Sequence, residues 1–145
     1  MRITYRGDYA LKAILDLALQ YDNIVTIHDL AKNAQIPLKF LEQVLLDLKR
    51  GGFVESRRGN VGGYLLAKPP SQIKVGEVIR FIDGPLEPIS CVGQHYSGCT
   101  DIYKCVFRDI WCRVAQATSD IVDNITFEDL INQIQVSKKT VSYQI

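Results

Sequence analysis

The sequence predicts a mainly α-helical chain that carries one small β-hairpin. Apolar residues recur at helical spacing in several segments, and two short strand-like segments flank a glycine-rich tip. Neither an internal repeat nor a low-complexity stretch interrupts the 145 residues. The order of the first elements narrows the class to a winged helix-turn-helix, followed by a long C-terminal helix suited to dimerisation.

The first segment, DYALKAILDLALQY, places Ala10, Leu11, Ile14, Leu15, Ala18 and Leu19 on one helix face. A short second helix follows in TIHDLAKNA, where Thr26 and Asp29 have the spacing of a capping pair and His28 falls in the first turn. Pro37 suits the start of a third helix whose apolar positions are Leu38, Leu41, Val44, Leu45 and Leu48, and Gly51-Gly52 stops it. FVESRR and GYLLAK read as strands around the tip GNVGG, where Gly62 and Gly63 serve turn geometry. Pro69 and Pro70 end the hairpin, VGEVIRFIDG is a connecting helix, and the segment after Gly84 lacks periodicity. From Asp101 to Asp123 the apolar residues Ile102, Cys105, Val106, Ile110, Val114, Ala117 and Ile121 predict a long helix, and Thr126 with Asp129 caps a last one, FEDLINQI.

The domain plan is therefore a winged helix-turn-helix with its connecting helix over 1–84, a cysteine loop over 85–105, dimerisation and final helices over 101–137, and a tail over 138–145. A chain of this length buries a core without crosslinks. MRITYRGDYALKAI lacks the pattern of a secretory signal, and no apolar run reaches membrane-spanning length, so the expected compartment is the cytoplasm. The formal net charge of +1 hides an asymmetry: residues 1–68 hold ten Lys or Arg against seven Asp or Glu, and the rest holds seven against nine. The excess of cations includes Lys49, Arg50, Arg57 and Arg58, at the end of the third helix and on the wing.

In a helix-turn-helix the N-terminal part of the second helix of the pair enters the major groove. Lys39, Glu42 and Gln43 are the polar residues placed there, and Arg57, Arg58 and Gly59 are placed to meet phosphate or minor groove. An enzyme is not expected. The chain has no phosphate loop, no nucleophile elbow and only two histidines, His28 and His95.

RGDYALKAILDLAL, IPLKFLEQVLLDLKRGGFVESRRGNVGGYLLAKPP, IKVGEVIRFIDG and NITFEDL occur in an order that resembles the Rrf-two family of bacterial winged-helix transcription regulators. The likeness runs from Met1 to about Leu130 and is strongest to the branch of iron-sulfur regulators that contains IscR and NsrR. It implies a homodimer that binds a palindromic double-stranded DNA operator and is expected to repress, with base contacts at Glu42 and Gln43 and a wing arginine at Arg58. It also implies an iron-sulfur cluster, 2Fe-2S or 4Fe-4S, on cysteines of the loop.

Cys91, Cys99 and Cys105 stand at intervals of seven and five residues within CVGQHYSGCTDIYKC. The first interval is slightly longer than in the relatives resembled. Three thiolates gathered from one loop suit such a cluster, but a fourth ligand is needed. Where one branch of relatives has a histidine, this chain has Arg108, which cannot ligate iron. The other branch uses an aspartate from the second subunit, and Asp8 stands at that position, where it is also a candidate cap for the first helix. His95, inside the loop, is the second candidate. Cys112 lies about 10 Å along the helix from Cys105 and is expected in the core or the dimer interface. Two further uses of the loop stay open: a thiol-disulfide switch without iron, and a structural zinc on three cysteines and His95.

Overall fold

Thr4 starts the first helix. Its hydroxyl accepts the Gly7 N–H at 3.1 Å, and α1 runs over Tyr5–Leu19. Asp8 therefore lies inside the first turn and is not the cap, which corrects that part of the expectation. Its carboxylate pairs instead with Lys12 one turn on, at 2.6 Å. The computed structural model describes residues 2–142, within which α1 is followed by α2 (Ile27–Ala34), α3 (Leu38–Arg50), the hairpin strands β1 (Val54–Arg57) and β2 (Gly63–Leu66), α4 (Val75–Asp83), α5 (Val106–Val122) and α6 (Phe127–Ser142).

The Thr26 hydroxyl caps α2 by accepting the Asp29 N–H at 3.2 Å, and Gln35, with a left-handed φ of 54°, ends it. Pro37, whose backbone is extended, precedes α3, and Gly51 closes it. The hairpin is antiparallel, with Val54 opposite Leu66 and Arg57 opposite Gly63. Val25, outside the hairpin, adds an antiparallel rung to β2: it exchanges two backbone hydrogen bonds with Tyr64, at 2.8 and 2.9 Å. That rung ties the wing to the start of α2.

One core joins these elements. Ala10, Ala13, Ile14 and Leu17 of α1 face Leu30 of α2, Leu41, Val44, Leu45 and Leu48 of α3, Val78 of α4 and Phe127 of α6. Burying each of the larger side chains contributes about 1.5–3 kcal/mol. Phe127 has no exposed surface, so α6 is anchored onto the winged-helix half by its first residue. The expected reciprocal cap of this helix is present: Asp129 N–H reaches the Thr126 hydroxyl at 3.2 Å, and Thr126 N–H reaches the Asp129 carboxylate at 2.8 Å. The helix continues through Ser142, into residues read from sequence as a tail; 143–145, like Met1, lie outside the described residues.

The long helix departs from expectation at its start. Cys105 has extended backbone (φ −77°, ψ 110°), and Lys104 N–H closes a separate turn on the Asp101 carbonyl at 3.0 Å, so α5 begins at Val106. None of its residues is buried. Cys112 is half-buried on this helix and fills no core.

The far end of α5 is clamped to α4. Arg80 donates through Nη2 to Asp123 at 3.0 Å and to the Ser119 hydroxyl at 3.1 Å, and through Nη1 to the other Asp123 oxygen. Hydrogen bonding to Arg80 holds the Asp123 carboxyl below its ordinary range. Gly76 makes the approach possible, because a β-carbon there would lie 2.0 Å from Asp123 Oδ1. Gly76→Ala should therefore break the clamp and lower stability by about 1–3 kcal/mol in urea unfolding. Arg80→Ala should cost about 1 kcal/mol, since the pair is over a third exposed and screened by solvent. Because the folded-state pKa of Asp123 is depressed, that contribution is complete above the ordinary carboxylate range of about 4 and disappears as pH falls through the folded value. Unfolding curves of parent and Arg80→Ala should accordingly converge in acid.

Candidate nucleic-acid interface and cysteine loop

Burial of Leu41, Val44, Leu45 and Leu48 decides which way α3 faces. With that stripe inward, Lys39, Glu42 and Gln43 are turned to solvent along its first half. The wing is tied to the other end of the same helix, where Lys49 Nζ donates to the Ser56 hydroxyl at 2.6 Å. Arg57 and Arg58 are exposed on the wing, and Arg57 lies 3.4 Å from Glu55 on the same strand. Gly59 has a φ of 119°, a conformation that side chains rarely adopt, so its place at the wing tip follows from backbone geometry. Helix and wing thus present their polar residues as parts of one framework.

Four residues of this surface, Thr26, His28, Ser56 and Tyr64, were not assigned to it from the sequence. Thr26, His28, Ser56, Arg57, Arg58 and Tyr64 line one recess between the start of α2 and the wing. The Val25–Tyr64 bridge sets the start of α2 against the wing, and no local motif announces it. Behind this outward row, Asp47 is buried where α3 faces the N-terminal end of α1. Its carboxylate accepts from Arg6 Nε at 3.1 Å and from Arg6 Nη2, and it lies 3.6 Å from Arg50. Beside this group, Tyr5, Arg6, Tyr9, Phe40, Gln43 and Val44 line a mainly apolar cavity of about 330 Å³.

The cysteine loop is open. Cys91 is half-buried on a short 3-10 turn over Ser90–Val92, Cys99 and Cys105 are exposed, and all three are free thiols. Among the described residues no three Cys, His, Asp or Glu side chains converge as a metal centre, so Cys91, Cys99, Cys105, Asp8 and His95 are not brought together within this chain. By donor chemistry the three thiols still fit an iron-sulfur cluster, since none is paired and none fills a core. Arg108 makes a contact that its sequence position does not announce. Its Nε donates to the Cys91 carbonyl at 3.3 Å and pins the start of the loop to the first turn of α5.

No helix in the described residues is long and apolar enough to cross a membrane. Residues 3–133 match the Rrf2 family, described as an iron-dependent transcriptional regulator. The HTH-type transcriptional regulator IscR of Cronobacter sakazakii is 37% identical over 137 residues, covering 94% of this chain and 83% of that protein. Among solved structures, CymR, the global cysteine regulator of B. subtilis, superposes with a TM-score of 0.77 at 28% identity, covering 92% of this chain and 98% of that one. IscR of T. potens superposes with a TM-score of 0.73 at 29% identity, over 92% and 88%. A winged helix of this geometry, matched along nearly its whole length by regulators, leads to one conclusion: the chain belongs to the Rrf2 family and is an IscR-like transcriptional regulator, not an enzyme.

Proposed function

We propose that the protein binds a palindromic operator as a homodimer, reading bases with α3 and gripping the backbone with the wing, under control of an iron-sulfur cluster on Cys91, Cys99 and Cys105. The observation that carries the DNA-binding part is the outward row Lys39, Glu42 and Gln43, held in register with Arg57 and Arg58 by the Lys49–Ser56 tie. Glu42 suits a cytosine amino group and Gln43 an adenine edge. His28 and Thr26 add a recess beside the wing arginines where a phosphate is accommodated.

Dimerisation is supported by α5. Phe107, Ile110, Trp111, Val114 and Ile121 recur along one side of a helix that buries nothing within its own chain. Such a stripe finds its cover in a second copy, and two-fold symmetry then sets two recognition helices on one duplex. Repression by occupancy of the operator is the mode this arrangement favours, in the cytoplasm, where loop thiols stay reduced.

A bound cluster supplies a redox-sensitive crosslink among three thiolates. The loop joins α4 to α5, so gathering its thiols restricts how the DNA-binding half sits on the dimer helix. Asp8 is the first candidate for the fourth ligand, supplied by the second subunit. Its carboxylate is nearly half exposed, and among the described residues its ion pair is the surface one with Lys12. His95, exposed within the loop, is the second candidate. A thiol-disulfide switch is the other reading, favoured by the exposed Cys99 and Cys105 and by the likeness to a cysteine regulator.

Gln43→Ala should cost about 1–3 kcal/mol at one half-site position and relax base preference there, while Arg58→Ala should weaken binding on all sequences and reduce the salt slope by about one. Titrations on duplexes chosen from a random pool check both, and equal behaviour of a Gln43/Arg58 double mutant and the parent ends the docking scheme. Protein prepared anaerobically with iron and sulfide should be coloured. Ser at Cys91, Cys99 or Cys105 should bleach it, Cys112→Ser should not, and Asp8→Ala should alter the spectrum. A colourless reconstituted protein whose DNA affinity responds to oxidant alone establishes the thiol switch instead, and zinc in a colourless protein establishes a structural metal. Sedimentation of the metal-free protein should still show a dimer.

A further inference from the structure

We infer that Asp47 is a specificity-determining residue: it fixes the orientation of the Gln43 amide from behind and so sets which base the recognition helix prefers. The inference rests on the reading of Gln43 as a base contact and adds the residue that aims it. Asp47 follows Gln43 by one turn on α3, and Gln43 Nε2 lies 3.5 Å from each of its carboxylate oxygens. These are long contacts, but their sign is unambiguous. An ionised carboxylate accepts and never donates, so it favours the amide orientation seen here, with the nitrogen inward.

That choice has a consequence at the outer edge. Reading adenine takes an acceptor for N6–H and a donor for N7, in a fixed left-right order. With one N–H directed to Asp47, the second N–H and Oε1 remain for the base, in a single order. A flipped amide reverses donor and acceptor and mismatches the same edge. Without the carboxylate, both orientations are open.

An acid on a helix that faces a polyanion is otherwise a liability, and the surroundings of Asp47 show how it is tolerated. Among the described residues it is the one polar or charged residue that is buried, at 7% exposure. Arg6 from α1 and Arg50 from the end of α3 both face it, so its charge is compensated from two elements. Removing the charge while keeping the shape therefore separates aiming from packing.

The test selects duplexes from a random pool with the parent protein, then measures binding to the selected duplex and to versions changed at the base pair that Gln43→Ala identifies. The parent should discriminate by about tenfold or more at that pair. Asp47→Asn should reduce this to within about threefold, without loss of affinity for the changed duplexes, and should have no further effect in a Gln43→Ala background. Arg6→Gln, which weakens the ion pair but leaves the carboxylate, should lower thermal stability and keep the discrimination. A merely structural role predicts that both variants lose affinity on every duplex alike. Full discrimination by folded Asp47→Asn overturns the inference while the Gln43 contact stands; unchanged discrimination by Gln43→Ala overturns both. Should Asp47→Asn lose its helical signal, Asp47→Ser, which also removes the carboxylate, is measured in its place with the same drop expected.

Discussion

The packing of α1 is the constraint on which the other elements depend. Its inward face alternates small and large residues, with Ala10, Ala13 and Ala18 beside Ile14 and Leu17, and all five are essentially inaccessible to solvent. Small side chains let neighbouring helices approach closely, and the larger ones fill the space between them. α2, α3, α4 and α6 all pack against this helix. Its position is secured at the N-terminus as well, where Thr4 donates its N–H to Asp83 at 2.9 Å and so latches the start of α1 to the end of α4.

Because α3 rests on α1, the chemistry of its outer surface is set from inside. The buried leucines choose the face, Lys49 joins it to the wing, and the Arg6–Asp47 pair joins it back to the first turns of α1. The exposed Lys49–Ser56 contact contributes little to stability, whereas Arg6 compensates a charge that is buried on Asp47. The effect of both is on geometry: helix, wing and the neighbouring recess keep fixed relative positions, which binding to two adjacent grooves requires.

The loop and α5 follow a different logic. They are attached to the DNA-binding half through few points: Arg80 on Asp123 and Ser119 at one end of α5, and Arg108 on the Cys91 carbonyl at the other. None of the residues of α5 is buried within the chain. In the assembly proposed above, a second copy would cover the apolar stripe and a cluster would gather the thiols.

Local chemistry was legible where neighbours in sequence are also neighbours in space. Capping hydroxyls at Thr26 and Thr126, the apolar stripe of α3, the glycine stop at Gly51 and the hairpin around Gly59 all depend on residues within one or two turns, and each stands in the structure as the spacing implies. The exposed positions Lys39, Glu42, Gln43, Arg57 and Arg58 were legible for the same reason, since a known buried stripe leaves a known outer face. Contacts between distant residues had no such signal. Thr4 took the cap that Asp8 also suited, because the Thr4 hydroxyl and N–H are both held by Asp83, far along the chain. Nothing local announced that Asp47 would be met by Arg6 from another helix, and Arg108 read as a missing ligand until its guanidinium met the Cys91 carbonyl. Hydrophobic periodicity and capping are properties of a segment, so the sequence by itself determined them. The partner of a charge depends on which surfaces meet, and only the tertiary structure decided that.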